Sequence, residues 1–257
     1  MNLLQHFRHE EKETVKEMMQ FCERADATYS PILTHFLDPR EQYILTVTAK
    51  QFAGLTVHIF GGDDQAERCR AIVAPDYYEP SEEDYEIGVL ELNYPDKFVT
   101  LTHRNLLGSL MQTGITREQL GDIRAGNKIQ FVLTKTMESF MILELTRIKN
   151  ATVSLHAVPF NELIPSEEDY KQIQTTVSSL RLDNIVQQIT KSSRAAAQKM
   201  IGADHVKVNH TVITKTSFTI EEHDLLSIKG YGRAKITQIG DRTKKDKIRI
   251  TIDTLFK

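Results

Sequence analysis

Apolar and polar positions follow two periods along this chain, and each change of period marks an element. In residues 1–29, Leu3, Leu4, Phe7, Val15, Met18, Met19, Phe21 and Cys22 form a stripe at helical spacing, with glutamates and lysines on the other face. Pro31 interrupts that helix. Asp38-Pro39 then supplies a cap and a first helical residue, which predicts a helix to about Ala49. Leu55, Val57 and Ile59 alternate as in a strand, Gly61-Gly62-Asp63 make a turn, and 71–73 resume an extended run that stops at Pro75. The acidic 77–84 stretch reads as a surface loop.

The middle of the chain has a regular order. Strands are predicted at 87–92, 122–124, 129–133 and 151–158, and helices at 102–113 and 139–148, with a further turn of helix at 115–120. Gly126-Asn127 makes a hairpin turn between the second and third strands. The order β-α-β-β-α-β is the split ferredoxin-like plait shared with the RNA recognition motif. Base stacking on such a sheet needs exposed aromatics on the central strands. Here Phe131 is the only aromatic in 128–134, and 87–92 has none. The plait therefore reads as structural or protein-binding rather than as a stacking surface.

Past an acidic linker at 165–170 the helical period returns in Leu182, Ile185, Val186 and Ile189. Ser192 or Ser193 offers a cap for a second short helix over 195–201, with Gly202 as its stop. Val206, Val208 and Val212 then alternate with polar residues, and alternating runs at 236–239 and 248–252 flank the basic Thr243–Arg249 hairpin. The expectation is an α+β protein with three parts: a helical and mixed segment at 1–80, the plait at 81–165 and a basic module at 180–257.

Charge sharpens this division. Residues 181–257 hold 15 Lys and Arg against 8 Asp and Glu, a net +7, whereas 1–180 hold 17 against 27, a net −10. A basic module on an acidic body points to a nucleic-acid contact in the C-terminal part. Arg194 stands at a helix start, where free backbone N–H groups favour a phosphate. Arg181, Lys199 and Lys207 are expected on the same side, with Ser193 beside them and Asn209 offering a donor and acceptor to a base or sugar. Lys229, Tyr231 and Arg233 around the Gly230–Gly232 turn, and Lys244 and Lys245 in the hairpin, extend the candidate RNA surface.

Two cysteines, Cys22 and Cys69, make no disulfide scaffold for a chain of 257 residues. No run approaches the ~18 apolar residues of a membrane helix, and the early Glu10, Glu11 and Glu13 do not suit a signal peptide. A cytoplasmic protein without membrane attachment is expected.

Several motifs in order carry a resemblance. Arg181-Leu182-Asp183, Ser193-Arg194, Val206-Lys207-Val208-Asn209, and Asp224, Ser227 and Gly230 at D-x-x-S-x-x-G spacing resemble the RNA-binding domain named for ribosomal small-subunit protein S-four. Asp204 and His210 stand where that family often has glycine; both types tolerate left-handed backbone. Upstream, F-R-x-E-E at 7–11, F-L-D-P-R-E-Q at 36–42, F-G-G with A-E-R at 60–68 and T-H-R-N-L-L-G-S-L-M-Q-T-G-I at 102–115 extend the match. Together they resemble the YlmH-type proteins of Gram-positive bacteria, which belong to a cell-division gene cluster. The resemblance implies an RNA-binding protein without catalysis. It also implies a place in ribosome-associated quality control, on large ribosomal subunits that still hold peptidyl-tRNA, so that rRNA and tRNA are the expected partners. A monomer is expected.

The marks of enzyme chemistry are incomplete. Gly61-Gly62 lacks the Lys-Ser or Lys-Thr of a phosphate loop. Arg181-Leu182-Asp183 mimics the aspartate motif of pseudouridine synthases, but only 74 residues follow it, too few for that catalytic domain. Asp183 is expected to cap its helix or pair with an arginine. Gly230-Tyr231-Gly232 lies between strands, unlike a methyltransferase loop, and H-I-G-H and K-M-S-K-S motifs are absent. His6 and His9 share a helix face without zinc-ligand partners at the usual spacing. Asp63-Asp64 and Glu82-Glu83-Asp84 read as solvated loop charges. No catalytic residue, cofactor or metal is expected; the alternatives are an RNA-modifying enzyme with an unrecognised site and a protein-interaction factor in cell division.

Overall fold

The computed structural model describes residues 7–8, 11–166 and 170–256. His6 and His9 lie outside them, as does part of the first predicted helix. The chain divides into two compact units, Met1–Glu167 and Glu168–Lys257.

In the first unit, α1 (Lys12–Thr28) and α2 (Pro39–Ala49) pack on a sheet of β1 (Ile32–Leu37), β2 (Leu55–Phe60) and β3 (Cys69–Pro75), ordered β1-β3-β2 and antiparallel. The start of α2 is fixed by Asp38, whose carboxylate accepts from Arg40 N and Glu41 N while Glu41 accepts from Asp38 N. Such a reciprocal cap contributes ~1 kcal/mol. Strand alternation then gives the sheet two apolar faces. Leu37, Ala71 and Val73 meet Val15, Met18, Cys22, Ile44 and Leu45 of the helices. Phe36, Ile72 and Ala74 face the other way.

That second face packs on the plait. β4 (Ile87–Asn93), α3 (His103–Gln112), β5 (Leu120–Ala125), β6 (Ile129–Thr134), α4 (Glu138–Glu144), the hairpin β7 (Arg147–Ile148) with β8 (Ala151–Thr152), and β9 (Ser154–Val158) follow in order. The sheet order β5-β6-β4-β9 is that of a split ferredoxin-like plait. Leu90, Leu92, Ile129, Phe131 and Leu133 face α3 and α4, through Leu106, Leu110 and Met141. Ile87, Val89 and Val132 face Phe36, Ile72 and Ala74, with Phe60, Phe160 and Leu163 beside them. The sheet face on which an RNA recognition motif stacks bases is thus covered by the chain's own apolar residues, and Phe131 is buried on the helical side.

Polar struts lock these layers. Arg68 donates to the carbonyls of Leu120, Phe36 and Arg117 at 3.0–3.1 Å, and Asp122 accepts from Glu67 N and Arg68 N. Asp63, expected as a solvated charge, instead pairs with the buried Arg124 (Nη2–Oδ1 2.7 Å), whose guanidinium also holds the Ile164 carbonyl. Gly61 leaves no room for a Cβ: it would lie 2.5 Å from Ala66 Cβ and 2.6 Å from Arg68 O. The Gly61–Arg68 stretch is a structural clasp. The predicted helix over 139–148 ends at Glu144, because Ile148 pairs with Ala151 in a hairpin that turns through Lys149 at φ 53°.

The second unit is a six-stranded antiparallel sheet with two helices. β10 (Lys171–Val177), α5 (Leu182–Thr190), α6 (Arg194–Gly202), β11 (Val206–Val208), β12 (Thr211–Val212), β13 (Leu225–Ile228), β14 (Gly232–Arg242) and β15 (Ile248–Phe256) give the strand order β10-β15-β14-β13-β11-β12. Leu182, Ile185, Val186, Ala197 and Ile201 of the helices pack with Val206, Val208, Leu226, Ile228, Ala234, Ile236, Ile250 and Ile252. Gly202 belongs to α6 rather than stopping it; left-handed backbone follows at Asp204, φ 59°, and recurs at His210, φ 65°. β1 and β10 lie outside the elements expected from the sequence. Thr34 of β1 is buried because its hydroxyl accepts from Ala71 N, and β10 is a polar edge strand.

Candidate nucleic-acid interface

The centre of the basic unit is a buried carboxylate. Asp183 lies in the first turn of α5 with its side chain fully buried. Arg181, the residue capping α5, donates Nε to Oδ1 and Nη2 to Oδ2, both at 3.0 Å. Arg194 opens α6 and donates Nε and Nη2 to Oδ2 at 3.2 and 3.1 Å. Gln198 adds Nε2 at 3.1 Å and Asn184 its backbone N–H at 3.0 Å. The Arg181 hydrogen bond, followed by those of Gln198 and Arg194, holds the carboxyl well below the usual carboxylate range against the opposing effect of burial. In return Asp183 raises the pKa of Arg181. Asp183 therefore pairs with two arginines and presents no side-chain surface to solvent.

This anchor sets both guanidiniums with one edge inward and one outward. Their side chains remain 38% and 56% exposed, and each keeps its Nη1 outside the bonds to Asp183. Ser193 Oγ accepts from Ala196 N at 3.1 Å, so its hydroxyl caps α6.

The other expected residues do not share that side. Lys199 is exposed two residues beyond the buried Ala197, about 200° round the helix. Lys207 lies between Val206 and Val208, which face the helices, so alternation turns it to the opposite sheet face. There the register aligns Lys207, Ser227 and Arg233 across three strands, with Lys235 opposite Asp253 one row on. Asn209 is a structural staple rather than a free donor and acceptor. At φ 47°, it donates Nδ2 to Asp224 Oδ1 at 2.8 Å and accepts from Leu225 N at 2.9 Å. Tyr231 is half-buried, edge-on to Phe256 at 6.3 Å, and packs on the core. Lys229 is exposed in the β13–β14 turn. Lys244 and Lys245 are exposed in the β14–β15 turn, roughly 30 Å along the strand from Arg233. Sequence reasoning missed Gln198, which stands one helical turn beyond Arg194, and the outward Lys235 and Arg249, which strand alternation alone could have revealed.

Elsewhere, Cys22 and Cys69 are free and buried, and burial pushes both thiols up to about 12. Among the described residues no group of three or more His, Cys, Asp or Glu side chains is placed to hold a metal ion, and no helix is long and apolar enough to cross a membrane.

Comparison with known proteins agrees with this layout. Residues 10–78 match the family model "YlmH, N-terminal", residues 80–162 "Putative RNA-binding domain in YlmH", and residues 180–226 the "S4 domain", the S-four-type module. The chain is 38% identical over 253 residues, 98% of both chains, to "Ribosome-associated protein quality control protein P2" of Bacillus subtilis (strain 168). A solved structure, "Cell division protein ylmH from Streptococcus pneumoniae", superposes with a TM-score of 0.55 at 31% identity, covering 62% of this chain and 98% of that one. The module built around Asp183 is an S-four-type domain, and the chain belongs to the YlmH family.

Proposed function

We propose that this protein is a non-catalytic RNA-binding factor of ribosome-associated quality control, a cytoplasmic monomer that engages rRNA and peptidyl-tRNA on stalled large ribosomal subunits. The observation that carries this reading is the Arg181–Asp183–Arg194 cluster. Two guanidiniums held on one buried carboxylate keep a net positive charge and are fixed before any ligand arrives. Guanidinium edges suit phosphate oxygens better than an ammonium does, and a pre-set pair loses less side-chain freedom on binding. The name of the Bacillus subtilis relative supports the ribosomal setting, and the S4 match supports RNA. The same cluster argues against a modifying enzyme built on Arg181-Leu182-Asp183, because its aspartate is enclosed.

The test is crosslinking of the tagged protein in growing cells, with sequencing of the attached RNA. Large-subunit rRNA and tRNA should dominate. Recovery of division proteins after nuclease treatment, with no enriched RNA, would favour the cell-division reading instead, which the name of the Streptococcus pneumoniae structure keeps in view.

A further inference from the structure

The plait matches a model described as RNA-binding, yet its sheet face is covered. We infer that one end of the plait, carrying Lys97, Phe98, Arg104, Arg147 and Lys149, is a second RNA contact, which stacks an unpaired base on Phe98 and holds the flanking phosphates on the four cations. The inference rests on the RNA-binding reading above and locates a site in the other unit.

The strand register defines this end. Asn93 pairs with Ser154, Leu92 with Ile129, and Ile129 with Ala125. The turn at 94–102, the β5–β6 turn and the β7–β8 hairpin therefore emerge together, and α3 packs beside β7. Phe98 is 88% exposed. It does not sit on loose chain: Tyr94, Val99 and Leu101 anchor the turn in the core, and Pro95 O accepts from both Phe98 N and Val99 N. A phenylalanine held out in water by an anchored turn contributes nothing to the fold, and it suits base stacking, which is tolerant of sequence. Lys97, Arg104, Arg147 and Lys149 are all exposed, and none has a carboxylate partner among the described residues. Asp96 and Glu144 are the exposed carboxylates at this end, and Lys128 is paired with Glu91. The opposite end is acidic, with Glu82, Glu83, Asp84, Glu86 and Glu118. In a body of net −10, unpaired cations at the same end of the plait as a bare aromatic ring fit a polyanion with planar bases. Leu143, 74% exposed on the last turn of α4, would serve a protein partner better, and the test separates the two.

The experiment is an anisotropy titration of the full chain with a short fluorescein-labelled oligoadenylate at several salt concentrations. Phe98→Ala and Phe98→Leu should each weaken binding about tenfold, and Phe98→Trp should retain it. Arg104→Gln with Arg147→Gln should flatten the salt dependence by about 1.4, two phosphate contacts at ~0.7 each on a single strand. Thermal melts should be unchanged, since Phe98 packs on nothing. Wild-type affinity in Phe98→Ala, full retention in Phe98→Leu as a merely apolar contact would give, or no oligoadenylate binding by the wild type would each overturn the site. Arg181→Lys with Arg194→Lys, in the other unit, separates the two readings. If that variant binds oligoadenylate like wild type while Phe98→Ala does not, the plait site stands independently of the cluster, whose own test is association with large subunits.

Discussion

Four arginines of the acidic unit and two of the basic unit are set in opposite ways. In the acidic unit Arg40, Arg68, Arg70 and Arg124 are buried or half-buried and directed at partners inside the fold: Glu11, backbone carbonyls and Asp63. In the basic unit Arg181 and Arg194 turn one edge to Asp183 and the other to solvent, and Lys199, Lys207, Lys229, Lys244 and Lys245 are exposed. The same side chain is a strut where its donors meet carbonyls and carboxylates inside the fold, and has donors left for a ligand where one edge faces solvent. Composition cannot make this distinction, because both units are rich in Lys and Arg; geometry does.

The comparison breaks most sharply at a strut. Arg124→Ala should destabilise the protein by about 3 kcal/mol, because Asp63 and the Ile164 carbonyl lose a buried cation. A loss below ~1 kcal/mol in denaturant titration would mean that the clasp holds without it. Asp183→Asn comes next, at roughly 2 kcal/mol, less than for a fully enclosed pair because both arginines are partly exposed and can be hydrated. It also changes the acid response. The folded carboxyl titrates below the ordinary aspartate value of ~3.9, so its stabilisation is complete above about pH 4 and is lost as pH falls further, through the lower folded value. Wild-type stability should therefore drop below pH ~4, and Asp183→Asn should flatten that drop; equal slopes would remove Asp183 from the account. Asn209→Ala should cost about 1–2 kcal/mol, from two hydrogen bonds and a left-handed backbone position, without changing RNA affinity in the folded fraction. Its affinity falling alongside would return Asn209 to the interface.

Much of this contrast was legible in the chain, and the rest was hidden for identifiable reasons. Asp38-Pro39 announced α2, and the period changes from 87 to 158 gave the plait order, because local caps and strand alternation leave marks in sequence. β1 and β10 were missed: one buries a threonine through a hydrogen bond, and the other is a mostly polar edge strand whose two apolar residues, Ile173 and Val177, share one face. Arg181 and Arg194 were legible as residues, and Asp183 as an arginine's partner. That Lys199 and Lys207 point elsewhere was not, since a strand's outward side is known only once Val206 and Val208 are seen to face the helices. Asn209 misled because a carboxamide serves a turn and a base equally well; its partners, Asp224 and Leu225, are 15 and 16 residues away.

The smallest stability effect belongs to the free lysines. Lys244→Gln with Lys245→Gln should stay within about 0.5 kcal/mol of wild type. If either lysine holds a phosphate, its removal should show only as a flatter salt dependence of RNA binding, by ~0.9 per phosphate on a duplex. A large stability loss would place these lysines among the struts.

The central claim, that the guanidinium pair on Asp183 is the organised RNA contact, is tested most directly by Arg181→Lys combined with Arg194→Lys. Both charges remain to satisfy the buried carboxylate, while the planar forks are removed. Co-sedimentation with purified large ribosomal subunits at moderate salt, with a thermal melt as control, should show at least about tenfold weaker association from a protein that melts within a few degrees of wild type. Undiminished association by the folded double variant would contradict the claim.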